Sequence, residues 1–320
     1  MRFTKRACAI LALATMLFPL AAIADRKAHA AGALAGEFET VIFAEKSLMD
    51  GFGRYRGISA REASHLRLPL ANLGDAVDSL RKRTMRKLLN QSETILLGAR
   101  DFQPPKRFGL VRSTWCYVVV LRNKSTLNLS THFDTVPGAV AAGVPVWTWS
   151  ASLGEYGEGD PRPSSLSAAQ IESSYVLVCN SSGDLEAVAR RLTTAGDSAE
   201  NVKVIRDWNI LSAYTIWAYR SLNHPRLAGK PGYLAEYATA GAEALIFCVD
   251  PEKKSATLML FLSVPKDERT PAAIDAKYRL PKLQTTALGR WETKIPFRDD
   301  EESNERLFII MGMFGFATFL

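Results

Sequence analysis

The chain has 320 residues, of which 47% are apolar and 23% are charged. These shares are typical of a globular protein and exclude wholesale disorder. The net charge is +7, but three of the positive charges lie within the first six residues, which leaves +4 for the rest of the chain. A charge of that size, spread over a length sufficient for one large domain or two smaller ones, does not indicate binding to nucleic acid.

The N-terminus has the three parts of a secretory signal peptide. Positive charges come first, at Arg2, Lys5 and Arg6. An apolar run over residues 7–23 follows, and Ala22-Ile23-Ala24 supplies the small residues that a signal peptidase recognises. We predict a signal peptide over residues 1–24, with cleavage as late as residue 30 as the alternative. The run is shorter than the roughly 20 residues of a membrane-spanning helix, so it favours an exported protein, periplasmic or secreted, over an anchored one.

Three cysteines follow the signal peptide, at Cys116, Cys179 and Cys248. Each lies in an apolar run that is typical of a buried strand, and their spacing matches neither a zinc site nor a disulfide framework. Two interpretations remain open: buried free thiols, or one disulfide between two neighbouring strands, which an exported compartment permits. A reactive thiol is disfavoured because apolar burial raises the pKa of a thiol and blocks access to it.

Residues 31–104 are predicted to form a helical lead-in region. Its clearest element is an amphipathic helix over Leu73–Leu89, whose apolar residues recur every three or four positions. Five cations occupy the second half of this helix: Arg81, Lys82, Arg83, Arg86 and Lys87. We interpret them as a solvated face that complements the helix dipole, with weak contact to an anionic membrane surface as the alternative.

Residues 105–320 are predicted to form an α+β domain with a mainly antiparallel sheet and packed helices. Runs of β-branched and aromatic residues predict strands from residue 93 onward: Thr94–Leu97, Trp115–Leu121, Val144–Trp149, Tyr175–Cys179, Ala244–Val249, Thr257–Val264 and Trp291–Phe297. A polar loop of hairpin length separates the fifth run from the sixth, which predicts an antiparallel pair. Helices are predicted over Asp184–Leu192, capped by the preceding serines, and over Asp299–Met311.

The order of these elements also indicates two pseudo-repeated halves. Residues 111–193 and 243–312 each contain apolar strands, then a strand that opens on a tryptophan, Trp147 or Trp291, and then a helix. The halves share no residue-level identity, so the repeat is a hypothesis about architecture.

The sequence contains no motif for a named chemistry. His132 and Asp134 could share one strand face, but a metal site needs three or four ligands, so we predict no metal site. No serine-nucleophile, zinc-protease, phosphate-cradling or calcium-loop motif occurs, and no cofactor is expected.

The strongest candidate site is a Gly- and Pro-rich loop over residues 153–165. Its carboxylates Glu155, Glu158 and Asp160 are candidate catalytic groups, because paired carboxylates act as acid and base in glycoside hydrolysis. The candidate ligand-binding residues are Trp147, Trp149, Tyr156 and Arg162. The alternative is a self-packed loop in which the arginine pairs with one of the carboxylates.

Two functions follow from these observations. We expect a non-catalytic binding or scaffold protein, whose partner is a protein, an envelope component or a small molecule. The alternative is a periplasmic hydrolase that uses the carboxylates of the 153–165 loop. The sequence favours the first because it lacks a recognisable nucleophile or metal motif.

Overall fold

A computed structural model describes thirteen stretches of the chain, two of them single residues: 26–45, 91–100, 114–123, 127, 129, 138–151, 164–194, 208–214, 216–222, 233–250, 255–262, 283–286 and 290–296. The predicted helices over Leu73–Leu89 and Asp299–Met311 lie outside these residues. So do the five cations of the first of those helices.

Twelve strands of the described residues form one antiparallel sheet. Their bounds are β1 Thr40–Glu45, β2 Ser92–Arg100, β3 Thr114–Leu121, β4 Ala139–Ala141, β5 Val144–Ala151, β6 Ser164–Ile171, β7 Tyr175–Cys179, β8 Ile216–Ser221, β9 Ala242–Asp250, β10 Ser255–Leu262, β11 Gln284–Thr285 and β12 Arg290–Pro296. The order across the sheet is β11-β12-β10-β9-β8-β1-β2-β3-β7-β6-β5-β4. The described residues also contain four helices: α1 over residues 26–35, α2 Ser182–Thr193, α3 Trp208–Leu211 and α4 Tyr233–Thr239. The prediction of a mainly antiparallel sheet is therefore confirmed.

The strands predicted from apolar runs are found where they were expected. Tyr175–Cys179 is reproduced to the residue, because a short, fully apolar and β-branched run is bounded on both sides by polar turn residues. The predicted hairpin is also present: β9 and β10 pair antiparallel, with Asp250 opposite Ser255 at the loop. In α2, the Ser181 side chain accepts a hydrogen bond from the Asp184 backbone N–H, which confirms the predicted cap.

Five strands were not predicted from the sequence. Two of them, β1 and β8, lie at the middle of the sheet and pair with each other. β1 lies in the predicted helical lead-in and also pairs with β2, whose core Thr94–Leu97 was predicted. Residues 36–39 join α1 to β1, so the start of the predicted helical lead-in is a helix followed directly by a central strand. The other missed strands, β4, β6 and β11, are short or rich in alanine and serine, and their pairing partners rather than their own propensities define them.

Alternate residues of each strand lie on opposite faces of the sheet. One face, which we call the α2 face, shares a buried cluster with α1 and α2; strand members include Leu96, Val118, Leu177 and Ile246, and helix members include Leu34, Leu185 and Val188. The opposite face is also buried, through residues such as Leu97, Tyr117, Val178, Phe247 and Leu258. The central strands therefore read as continuous apolar runs, because neither of their faces meets water.

Candidate functional site

The predicted catalytic loop closes a hairpin between neighbouring strands. β5 and β6 pair antiparallel, and Ala151, the last residue of β5, lies opposite Ser164, the first residue of β6. The two serines assigned to the loop, Ser164 and Ser165, belong to β6 instead. The remaining candidates of the loop lie outside the described residues: Glu155, Tyr156, Glu158, Asp160 and Arg162.

The two candidate tryptophans, Trp147 and Trp149, lie on β5, the strand that leads into the loop. Trp147 pairs with Ala168 and Trp149 pairs with Leu166, both on β6. Trp147 is partly buried, and its indole Nε1 is buried with no hydrogen-bond partner among the described residues. The exposed part of this ring is therefore apolar and carries no hydrogen-bond donor.

A set of charged residues surrounds the turn over residues 36–39, and the sequence analysis did not identify it. We call it the turn cluster, and its members are Glu37, Glu39, Arg100, Asp184, Arg191 and Arg220. The Arg191 Nε donates to Glu37 Oε1 at 2.7 Å. The Arg220 guanidinium donates to Glu39 Oε1 at 3.2 Å, and only 7% and 1% of these two side chains are exposed.

The third pair of the turn cluster connects β2 to the start of α2. Arg100 donates to the Asp184 carboxylate, and its guanidinium lies 5.3 Å from the centre of the Phe38 ring. A second Arg100 nitrogen approaches the Glu37 carbonyl oxygen at 3.4 Å. The outer oxygens, Asp184 Oδ2 and Glu39 Oε2, are buried with no hydrogen-bond partner among the described residues.

The chemistry of the turn cluster suits a structural role. Each of its carboxylates pairs with a guanidinium, a group that remains charged and neither gives nor accepts a proton in proteins. Acid–base catalysis needs a carboxylic acid and a carboxylate in different environments, whereas these three carboxylates all face arginine. The visible signal in the sequence was a charge inside an apolar strand, Arg220 in IWAYRS, which demands a buried partner.

Cys116 and Cys179 form a disulfide between β3 and β7. The two residues lie directly opposite each other in the antiparallel register, on the α2 face. The sequence allowed two interpretations, buried free thiols or one disulfide between neighbouring strands. The second holds for this pair. Cys248 is a buried free thiol; burial raises its pKa, and the positive charge of Arg290 offsets only part of that effect.

The described residues offer few other groups for chemistry. His29 is buried in α1, where its Nε2 lies 3.2 Å from the Leu192 carbonyl oxygen at the end of α2. No set of three or more His, Cys, Asp or Glu side chains that could hold a metal occurs in the described part of the chain. Among the described helices, none is both long and apolar enough to cross a membrane. His132 and Asp134 lie outside the described residues.

No protein-family model matches the chain, and no curated protein sequence matches it. Among solved structures, crystal form I of TP0453 is similar to this chain at a TM-score of 0.38 and 8% identity, over 89% of this chain and 97% of that one. Crystal form III of TP0453 is similar at a TM-score of 0.35 and 10% identity, over 88% of this chain and 97% of that one. These values are too low to support an inference about fold or function.

Proposed function

We propose that this protein is an exported, non-catalytic binding or scaffold protein of the periplasm or of the extracellular space. The observation that carries the proposal is the buried Cys116–Cys179 disulfide between two adjacent strands. Disulfides persist in oxidising compartments and are rare in the bacterial cytosol. The disulfide and the tripartite N-terminus point to the same compartment from independent parts of the chain.

We propose that the signal peptide ends at Ala24 and that the mature chain begins at Asp25. α1 contributes contacts from its first turns: Arg26 and Lys27 lie 3.5 and 3.3 Å from the Glu93 carboxylate, and His29 approaches the end of α2. Cleavage after residue 30 would remove all three of these side chains and half of a buried helix. The earlier cleavage site keeps them.

The non-catalytic part of the proposal rests on how the buried charges are used. Every carboxylate of the turn cluster pairs with an arginine. The cluster therefore links the turn after α1 to β2, α2 and β8. We propose that this rigid scaffold presents a surface to a protein, an envelope component or a small molecule, and that no metal, cofactor or nucleic acid takes part. Weak contact of Arg81, Lys82, Arg83, Arg86 and Lys87 with a membrane surface is part of the same proposal.

We also propose two finer features of the fold, which are helices packed on the sheet and a pseudo-repeat. The buried cluster that α1 and α2 share with the strands supports the first. The strand order supports the second: β1-β2-β3-β7 and β8-β9-β10-β12 extend in opposite directions from the antiparallel β1–β8 pair. In both halves the chain leaves the third strand for the sheet edge and returns to pair with it. The repeated units would then begin near α1 and α3, earlier than residues 111 and 243.

Expression of the full chain in a Gram-negative host tests the export proposal. We expect the mature protein in the periplasmic fraction or the medium, with Asp25 as its first residue. Its mass should be 2 Da lower without reductant than after reduction, because the disulfide removes two thiol hydrogens. A soluble cytoplasmic product that retains Met1 and carries only free thiols would contradict the proposal.

A periplasmic hydrolase is the second candidate. The observation in its favour is that β5 and β6 hold the ends of the 152–163 loop together beside the partly exposed Trp147 ring. In that case Glu158→Gln and Asp160→Asn should abolish turnover of a peptidoglycan or polysaccharide substrate while the melting temperature stays nearly unchanged. We expect no turnover by the unsubstituted chain, and detection of turnover that these substitutions remove would replace the first proposal with the second.

A further inference from the structure

The edge of the sheet at β4 is uncharged and exposed. β4 is the last strand in the order of the described sheet, and Val140 at its centre is 71% exposed. The nearest charged residues along the chain are Asp134 and Glu155. The opposite edge of the sheet, at β11, consists of the polar residues Gln284 and Thr285. Sheet edges are usually protected by charges, by proline or by short strands. β4 is short but has neither a charge nor a proline, so its edge is a candidate surface for strand pairing.

The turn between β4 and β5 fixes which backbone groups point outward. Ala142 and Gly143 both have positive φ, 49° and 80°, as in a two-residue type I′ hairpin. In such a hairpin the residues that flank the turn, Ala141 and Val144, form a hydrogen-bonded pair. The next pair, Val140 and Pro145, is then a non-hydrogen-bonded pair. The N–H and C=O of Val140 consequently point away from β5, toward the open side of β4.

One face of β4 is anchored in the protein core. Ala141 belongs to the buried cluster of the α2 face, and Ala142 and Val144 pack against that cluster. Val140 and Pro145 lie on the opposite face, where both are exposed and Trp147 of β5 is only partly buried. The hairpin therefore presents an apolar side chain and two outward backbone groups on a fixed strand.

We propose that β4 pairs antiparallel with β4 of a second copy of this chain, about a two-fold axis at Val140. In this pairing the Val140 N–H of each copy donates to the Val140 C=O of the other, and the two valine side chains become neighbours. A two-fold contact places each residue against itself or its near neighbours, so any charge on the strand would meet a like charge. The uncharged β4–β5 hairpin meets that requirement.

The second copy satisfies more of these groups than a lipid surface does. Hydrocarbon would cover the Val140 side chain but would leave its N–H and C=O without partners, which a paired strand supplies. Because β4 has only three residues, the contact is small and the dimer should form only at high protein concentration. The proposal concerns the kind of partner and does not depend on where the protein resides.

Sedimentation of the processed chain over a concentration series up to about 1 mM tests the pairing. We expect a concentration-dependent dimer that Val140→Lys and Val140→Glu each weaken by about tenfold or more, because residue 140 opposes itself. An equimolar mixture of these two variants should recover the dimer. Val140→Pro should also weaken it, since proline removes the outward N–H without removing a hydrogen bond of the hairpin.

Matched controls separate this contact from general effects. Asn123 is exposed in the turn after β3, so Asn123→Lys and Asn123→Glu should leave the dimer unchanged, alone and mixed. Circular dichroism of each variant verifies folding. If a charged variant does not fold, Val140→Thr, which keeps the outward N–H, takes its place. The proposal is overturned by a chain that stays monomeric at 1 mM, by a dimer that the Val140 variants do not weaken, or by failure of the mixture to recover it. Binding of a monomer to phosphatidylglycerol vesicles through Val140 would overturn it in favour of a lipid surface.

Discussion

The β1–β8 pair divides the sheet into two halves, β1–β7 and β8–β12, which are closed in different ways. In the first half the chain leaves β3 and returns on β7, and the Cys116–Cys179 disulfide spans 63 residues. In the second half it leaves β10 and returns on β12, where Phe261 already pairs with Arg290. No disulfide closes the second half in the described residues, where Cys248 remains a free thiol. The covalent link therefore lies where closing the loop costs more chain entropy.

The halves also differ in the interactions that their buried side chains make. In the first half the turn cluster brings Arg100, Asp184, Arg191 and Glu37 together above the α2 face. In the second half Trp291 and Phe247 are almost fully covered, and the Arg290–Glu292 ion pair at 3.0 Å is partly exposed. One ion pair joins the halves, because Glu39 precedes β1 and Arg220 lies on β8. This pair is where we expect the largest response to mutation.

Glu39→Gln should lower the free energy of unfolding by about 3 to 5 kcal/mol, because it removes the negative charge of Glu39 from a buried ion pair with Arg220. The matched control is Glu186→Gln, in the exposed pair that Glu186 forms with Arg190 at 2.9 Å on α2. That change should cost at most about 0.5 kcal/mol. Urea denaturation measures both. Equal effects of the two substitutions would show that the Glu39–Arg220 pair does not join the halves as described.

Replacement of both Cys116 and Cys179 by alanine should lower the free energy of unfolding by about 3 to 4 kcal/mol, given the 63-residue separation. Cys248→Ala, in the half without the disulfide, should cost only about 1 kcal/mol. Urea denaturation without reductant measures the difference. Thiol labelling of the native chain should be slow, since Cys248 is buried and the other two cysteines are bonded to each other. Rapid labelling at three sites would contradict the described pairing.

Gly98→Ala should lower the free energy of unfolding by about 1 to 3 kcal/mol, because the new methyl group overpacks the first half. A Cβ at this position would lie 2.6 Å from a Phe38 ring carbon and 2.8 Å from a Leu34 methyl carbon. The control is Gly183→Ala in the first turn of α2, where the nearest atom would be 4.0 Å away. That change should be neutral or raise stability by up to about 1 kcal/mol. Thermal melts separate the two, and a stable Gly98→Ala variant would show that α1 does not approach β2 this closely.

These features were predictable from the sequence to different degrees. β3, β7, β9 and β10 were predicted because each is a local apolar run with turn residues at its ends. β8 was missed because Arg220 interrupts its apolar pattern, and the carboxylate that pairs with it, Glu39, lies far away in the chain. Local sequence carries propensity and period, but it does not carry the identity of a distant partner.

The same limit applies to the site and the disulfide. The turn cluster draws its charges from the α1–β1 turn, β2, α2 and β8, so no spacing rule could assemble it. The choice between free thiols and a disulfide depended on the register that sets Cys116 opposite Cys179. That register is set where the chain, after passing through β4, β5 and β6, returns as β7 and pairs with β3. It is a property of the whole sheet.

Of the four main substitutions, Tyr117→Phe gives the smallest expected effect, and its sign is favourable. The Tyr117 hydroxyl is buried on the opposite face with no hydrogen-bond partner among the described residues. Its removal should raise the free energy of unfolding near neutral pH by up to about 1 kcal/mol. The control is Tyr175→Phe, whose hydroxyl donates to the Arg26 carbonyl oxygen at 3.4 Å, so that its loss should destabilise.

The pH dependence tests the same hydroxyl. Burial raises the pKa of Tyr117 far above its ordinary value of 10.0, so the unfolded chain releases this proton at a lower pH than the folded chain. The corresponding stability is fully present below pH 10.0 and is lost as the pH rises above it. The Tyr117→Phe variant should therefore lose less stability than the unsubstituted chain between about pH 9.5 and pH 11.5. Because both chains keep Cys248, whose raised pKa has the same sign, the difference between their urea curves isolates the tyrosine. Parallel losses in the two chains would mean that the hydroxyl is ionised or solvated in the folded state.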